Sequence, residues 1–256
     1  MYKTLSIDKY IKNDKASRSQ RVCSTMEPHE ETVLSATTIR GLEMTELSAG
    51  HLCALHQSDE QGFAVLRAFL EEGLERGEKV IYIADQHTTK PVIAQLERNG
   101  ICLQPYLTTG QMDVFTVFQS FLRKDVFEPA RMKSWLDREV QRARAEGYHS
   151  TRIAAEMTWV LRGAAGSERL IDYEAELNEL VHSGVCSILC LYDTRRFSPA
   201  VLQYVFTSHP AVVLGTAVHR NSYYCVSPGS FGGHPASTTL NAWMAELGGG
   251  QQAKFF

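Results

Sequence analysis

His51-Leu-Cys-Ala-Leu-His-Gln-Ser-Asp-Glu-Gln-Gly-Phe63 decides the fold. A short apolar run passes through a polar turn into a segment where Phe63, Leu66, Phe69, Leu70 and Leu74 recur at helical spacing, the pattern of a helix with one covered face. Gly73 and Gly77 close that helix, and Lys79-Val-Ile-Tyr-Ile-Ala84 follows as an apolar strand ending at Asp85. Strand, helix and strand in this order make a unit with a parallel crossover. In many α/β proteins the first turn of such a unit holds a nucleotide phosphate.

Composition excludes several classes. Of 256 residues, 44% are hydrophobic and 21% charged, close to average for globular proteins and unlike fibrous or disordered chains. The net charge of -3 supplies no global positive field, so direct nucleic-acid binding is not expected. No apolar run approaches the roughly 20 residues that span a bilayer, and charges interrupt Met1 to Asn13 where a signal peptide needs an apolar segment. A cytoplasmic protein without membrane contact is expected. The six cysteines, at 23, 53, 102, 186, 190 and 225, are scattered and read as free thiols rather than a disulfide scaffold.

Three parts follow from the pattern along the chain. Residues 1–44 are polar and aperiodic and read as a disordered tail, either a translation-start extension or a partner-binding segment, with Leu42 to Leu47 a lead-in to the first strand. Residues 45–228 alternate strand and helix. A helix starts near His87-Thr-Thr-Lys-Pro91, Ile101 to Leu107 is extended, Met112 to Phe118 is a strand, and Phe118 to Phe127 fits either a strand or a helical turn. Pro129 opens a long helix with Met132, Leu136 and Val140 inward, and Thr151 to Trp159 is a strand and its exit. Ser167 caps a helix with the stripe Leu170, Tyr173, Leu177, Leu180 and Val181. Val185 to Asp193 is apolar enough for a central parallel strand, Ser198-Pro199 opens another helix, Ala211 to Val218 is one strand and Tyr223 to Val226 adds an edge. Residues 229–256 read as a flexible second tail with one helical patch at Leu240 to Leu247. The fold class is α/β, a three-layer α-β-α sandwich with a mostly parallel sheet.

Ligands in such folds bind beyond the carboxyl ends of the strands, which selects His56 to Glu60, Asp85, Glu156 to Trp159 and Tyr192 to Arg196. A phosphate loop needs glycines, a lysine and a hydroxyl for magnesium. Between His56 and Gly62 stand one glycine, no lysine, and two acids, Asp59 and Glu60, at the helix start, where they repel a triphosphate. ATP hydrolysis through this loop is not expected. Asp85, Glu156 and Asp193 converge as possible paired acids, or each caps a helix or pairs with Arg152, Arg195 or Arg196; Glu156, beside Trp159, is the strongest candidate. His51, Cys53 and His56 do not complete a metal set, because His56 faces away from the other two. Cys186 and Cys190 lie roughly 13 Å apart at about 3.3 Å per residue, too far to share a disulfide or metal. Gly-x-Ser-x-Gly is absent, and Gly229-Ser-Phe-Gly-Gly follows no strand. No metal, cofactor or catalytic residue is expected.

Several stretches together resemble a known family. His51-Leu-Cys-Ala-Leu-His, Glu72-Gly-Leu-Glu-Arg-Gly-Glu-Lys-Val-Ile-Tyr-Ile, Gly147-Tyr-His-Ser-Thr-Arg-Ile-Ala-Ala-Glu-Met-Thr-Trp159, Tyr173-Glu-Ala-Glu-Leu-Asn178, Leu191-Tyr-Asp193 and His209-Pro210 resemble, in order and spacing, the MEDS domain (methanogen/methylotroph, DcmR sensory domain). The resemblance implies a RecA/KaiC-like core without a functional P-loop, serving as a non-catalytic sensory module of transcription regulators and signalling kinases that binds small hydrocarbon-derived ligands. On that reading Glu156, Trp159, Tyr192 and Asp193 match the family's motif positions, and with His56 and Asp85 at the strand ends they are the candidate ligand-binding residues. No helix-turn-helix or kinase pattern is read in the chain, so output is expected through a regulatory partner, a homodimer face or a tail. Two other readings stand beside this one: a residual nucleotide-binding or acid/base enzyme, and a pure protein-interaction module.

Overall fold

The computed structural model describes residues 50–85, 89–98, 101–182, 184–215, 217–225 and 236–248. The expected N-terminal tail, the strand lead-in at Leu42 to Leu47, the helix start at His87 and the Gly229 to Gly233 stretch lie outside them. Nine strands are described: β1 (His51–His56), β2 (Lys79–Ala84), β3 (Met112–Thr116), β4 (Leu122–Arg123), β5 (Val126–Phe127), β6 (Thr151–Glu156), β7 (Cys186–Asp193), β8 (Ala211–Leu214) and β9 (Ala217–Arg220). The helices are α1 (Asp59–Glu75), α2 (Thr89–Arg98), α3 (Leu103–Thr109), α4 (Pro129–Ala145), α5 (Leu170–Val181), α6 (Pro199–Ser208) and α7 (Ala236–Leu247). Among these residues no helix is long and apolar enough to cross a membrane.

Seven strands form one sheet in the order β3-β2-β6-β7-β1-β8-β9, and β4 with β5 makes a separate small hairpin. Every pairing in the large sheet is parallel except β8 with β9. β2 and β7 are buried along their whole length, as the apolar runs Val80 to Ala84 and Ile188 to Tyr192 require. Alternate side chains serve opposite faces. Cys53, Ile81, Ile153, Ile188, Cys190 and Tyr192 pack with residues of α4, α5, α6 and α7, while Leu52, Val80, Tyr82, Ala154 and Leu191 pack with α1, α2 and α3. The result is the three-layer sandwich expected.

Four local readings are corrected. Leu103 to Thr109 is helical, not extended, and ends on Gly110 in the left-handed conformation; Leu103 buries one side while Gln104 and Pro105 face water, a helical period too short to recognise. The run from Ala211 is a hairpin of two antiparallel strands, β8 and β9, turned at Gly215 with φ +61°, so β9 rather than Tyr223 to Val226 is the described edge. Ser167 does not cap α5. Its hydroxyl donates to the Ala164 carbonyl within a separate 3-10 turn, and α5 starts at Leu170. Finally, part of the segment expected as a flexible tail is α7, whose Leu240 and Met244 are fully buried and whose Trp243 stacks on Tyr223 and Phe206.

Charges are buried at the amino ends of the strands. Arg152, 1% exposed, donates through Nε to Glu78 at 2.7 Å and through Nη1 to Glu72 at 3.0 Å, with its guanidinium over the Phe69 ring. Lys79, equally buried, meets Asp113 at 2.8 Å and Glu146 at 3.1 Å. Both cations are paired, as buried charges must be.

Candidate functional site

The candidate residues fall at two of the points where adjacent strands send their helices to opposite faces of the sheet. The first lies between β1 and β7, with His56 opposite Asp193. The start of α1 is satisfied from within: Ser58 Oγ accepts from the Gln61 N–H at 3.2 Å, and Gln61 Oε1 accepts from the Gln57 N–H at 2.9 Å. Those amides are the ones a phosphate would use. Arg195 binds Asp193 through Nε at 2.8 Å and also reaches Asp59, so it straps β7 to α1. Burial works to raise the Asp193 pKa, but the Arg195 hydrogen bonds win and hold the carboxyl below its usual range. Burial pushes the pKa of His56 down, and its ring packs on Gly62, where an added Cβ would lie 2.9 Å away.

The second lies between β2 and β6. Glu156 Oε2 accepts the Asp85 N–H at 2.9 Å and its Oε1 accepts the Tyr82 hydroxyl. Asp85 is held by Arg162 and, at 3.0 Å, by the Thr158 hydroxyl. Asp85 and Glu156 are therefore brought together, with the Glu156 carboxylate on the Asp85 backbone N–H. Asp193 stands between β1 and β7 with its own arginine, so the three acids do not converge on one point. Phe118 and Leu161, 40% and 41% exposed, stand near this end, with Arg162 over the Phe118 ring.

Trp159 and Tyr192 do not line an open rim. Trp159 is fully buried, stacked on Phe121 with ring centroids 4.9 Å apart and against Phe127 at 4.7 Å. Its Nε1 has no hydrogen-bond partner among the described residues. Tyr192 points into the layer of α5 and α6, where its hydroxyl donates to Glu174.

That contact leads to a group which sequence reading missed. His51 on β1, Cys190 on β7, Glu174 on α5 and His209 after α6 meet in the core with no solvent exposure to speak of, and one donor atom from each lies within 4.8 Å of all the others. His51 Nε2 is 3.1 Å from Glu174 Oε2 and 3.5 Å from Cys190 Sγ. His209 Nε2 is 3.5 Å and Cys190 Sγ 3.6 Å from the same carboxylate oxygen. Burial pushes Glu174 toward the neutral acid, but the His51 hydrogen bond, with help from Tyr192, holds its pKa below the ordinary value. Burial drives His209 down to about 3, so its ring is neutral near pH 7. Burial and then the Glu174 charge push the Cys53 and Cys190 thiols up, which makes both poor nucleophiles.

The sequence did carry a signal. Glu174 sits on the inward stripe of α5 between Tyr173 and Leu177, and a carboxylate on an apolar stripe has to find partners in the core. His51 opens an apolar strand and His209 precedes a proline, positions that read as ordinary core or loop until the sheet order sets β1 beside β7.

A KaiC-like protein from the hyperthermophilic archaeon Pyrococcus horikoshii OT3 is similar in structure, with a TM-score of 0.44 and 12% sequence identity over 64% of this chain and 69% of that one. No curated protein matches the chain. The family model of MEDS, the methanogen/methylotroph DcmR sensory domain, matches residues 50–210, more than half of the sequence, and the chain belongs to that family of sensory domains.

Proposed function

We propose that this sensory domain is a non-catalytic cytoplasmic module that binds a small hydrocarbon-derived ligand at the carboxyl edge of the sheet and relays the event to a regulatory partner in signal transduction and transcription control. The observation that carries the ligand site is the Trp159 indole N–H, wholly buried without an acceptor on the 3-10 turn that also bears Leu161 and Arg162. A buried donor left unmade costs about 1–3 kcal/mol, and a ligand with one acceptor atom recovers it. The capped start of α1 and the arginine held by each of Asp85 and Asp193 support the non-catalytic part: each acid is paired with a cation, and the Gln57 and Gln61 amides already have acceptors.

The test is a thermal-shift series with small alcohols, methylated amines and halogenated methanes against the purified chain. A ligand that raises the Tm, and loses that effect in Trp159→Phe, is the expected result; no shift with any compound counts against the reading. One observation favours a second reading, a protein-interaction module. Phe121, Phe127 and Trp159 form an aromatic plug where an open pocket would be. On that reading no small molecule shifts the Tm, while Phe118→Ser and Leu161→Ser weaken binding to a partner without altering stability.

A further inference from the structure

The buried cluster of His51, Glu174, Cys190 and His209 has a lone-pair mismatch at its centre. His209 Nδ1 lies 2.6 Å from the Val205 carbonyl oxygen. A carbonyl only accepts, so Nδ1 carries the hydrogen and Nε2 presents a bare lone pair. That lone pair faces Glu174 Oε2 at 3.5 Å and has no hydrogen-bond partner. An acceptor aimed at a carboxylate in the core is unfavourable unless a proton or a metal cation lies between them.

We propose that these four side chains bind one zinc ion, through His51 Nε2, His209 Nε2, Cys190 Sγ and a Glu174 carboxylate oxygen. Zinc takes nitrogen, sulfur and oxygen ligands in tetrahedral array at about 2.0–2.3 Å, so the edges of such a tetrahedron measure about 3.3–3.8 Å. Four of the six edges are 3.1, 3.5, 3.5 and 3.6 Å, so the donors already stand close to that spacing. Charge also fits. A divalent ion with one carboxylate and one thiolate is neutral overall, which a fully buried site requires. On binding, the Cys190 thiol proton leaves to solvent, and the hydrogen that His51 Nε2 donates to Glu174 moves to Nδ1 by a change of tautomer, so the hydrogen bond between them is exchanged for two bonds to the ion.

The outer contacts match a metal site. The Val205 carbonyl fixes the His209 tautomer, and the Tyr192 hydroxyl holds the second oxygen of Glu174; partners of this kind orient ligands in metal centres. With four protein ligands and no open position, the ion is structural rather than catalytic. It ties β1, β7, α5 and the end of α6 to one point, and, because the site has no exposure, it loads as the chain folds. The zinc site depends on the cluster alone and not on a ligand at the strand ends, so loss of one leaves the other standing.

The experiment uses the full chain, denatured and refolded with Zn2+, with Co2+ or with a chelator. Elemental analysis is expected to find about one zinc per chain, and the Co2+ form to show tetrahedral visible bands with a thiolate-to-cobalt band in the near ultraviolet. Cys190→Ser removes the near-ultraviolet band, Cys53→Ser keeps it, and His209→Gln lowers the metal content several-fold. The Tm of the chelator-refolded chain is lower than that of the zinc form. The proposal is overturned if the wild-type chain, refolded with excess Co2+ to the same circular dichroism spectrum as with chelator, holds no stoichiometric metal, or if the cobalt bands survive Cys190→Ser unchanged. Should a variant fail to fold, the wild-type spectra decide the matter.

Discussion

Three tyrosines illustrate what burial does to single groups. Tyr82, Tyr173 and Tyr192 are fully buried, and burial followed by a nearby carboxylate raises each pKa well above the ordinary value. The folded chain therefore keeps protons that the unfolded chain gives up near pH 10. Their stabilising contribution is complete below that pH and is lost as pH rises beyond it, by up to roughly 4 kcal/mol per pH unit for three groups. Urea titrations at pH 9 and 11 are expected to show this fall, and absorbance at alkaline pH to show these rings ionising only with unfolding; ionisation in the folded state would refute it. Single residues also mark how far the sequence could be read. His56, Asp85, Glu156 and Asp193 do stand at the strand ends as expected, because strand direction alone places them. Trp159 and Tyr192 are buried instead, since the side a ring turns to depends on which helix covers it, and that is a long-range property.

At the scale of elements, helix α1 depends on both its ends. Ser58→Ala removes the side-chain cap of Gln61 N–H and is expected to cost about 1 kcal/mol, seen as a lower urea midpoint at unchanged slope. Gly73 is more demanding: a Cβ there would lie 2.8 Å from Arg152 Cδ and 2.9 Å from Val80 Cγ2. Gly73→Ala should thus destabilise by about 1–3 kcal/mol through overpacking although alanine favours helix, and a stabilised variant would show the approach of α1 to β6 to be looser than described. Arg152→Ala is expected to cost about 3–5 kcal/mol, because it leaves Glu78 charged and buried without its partner. The long helices and apolar strands were legible from periodicity. The two short elements, α3 and the β8–β9 hairpin, were not, because seven residues hold too few turns for a helical period and a turn at Gly215 interrupts an otherwise even apolar run.

For the whole molecule, the lesson concerns what counts as domain. α7 lies near the end of the chain, yet Leu240 and Met244 belong to the main core with Leu202 and Phe206. Truncation after Cys225 is expected to expose that apolar surface, lower the Tm and increase binding of a hydrophobic dye; a truncated chain with unchanged Tm would make α7 an ornament. The helical patch was legible at Leu240 to Leu247, but the glycine, serine, proline and histidine before it gave no sign that the helix packs on the core, which stabilises it more than propensity does.

Among the described residues the large sheet has two rims, and each carries charge. On β3, Asp113 is engaged by Lys79 at 2.8 Å and Arg142 at 2.6 Å; on β9, the chain reverses direction and ends with the exposed Arg220. Charge at a rim is how soluble proteins avoid pairing edge to edge. A strand laid along either rim would meet that charge, which disfavours continuing the sheet from one copy to the next.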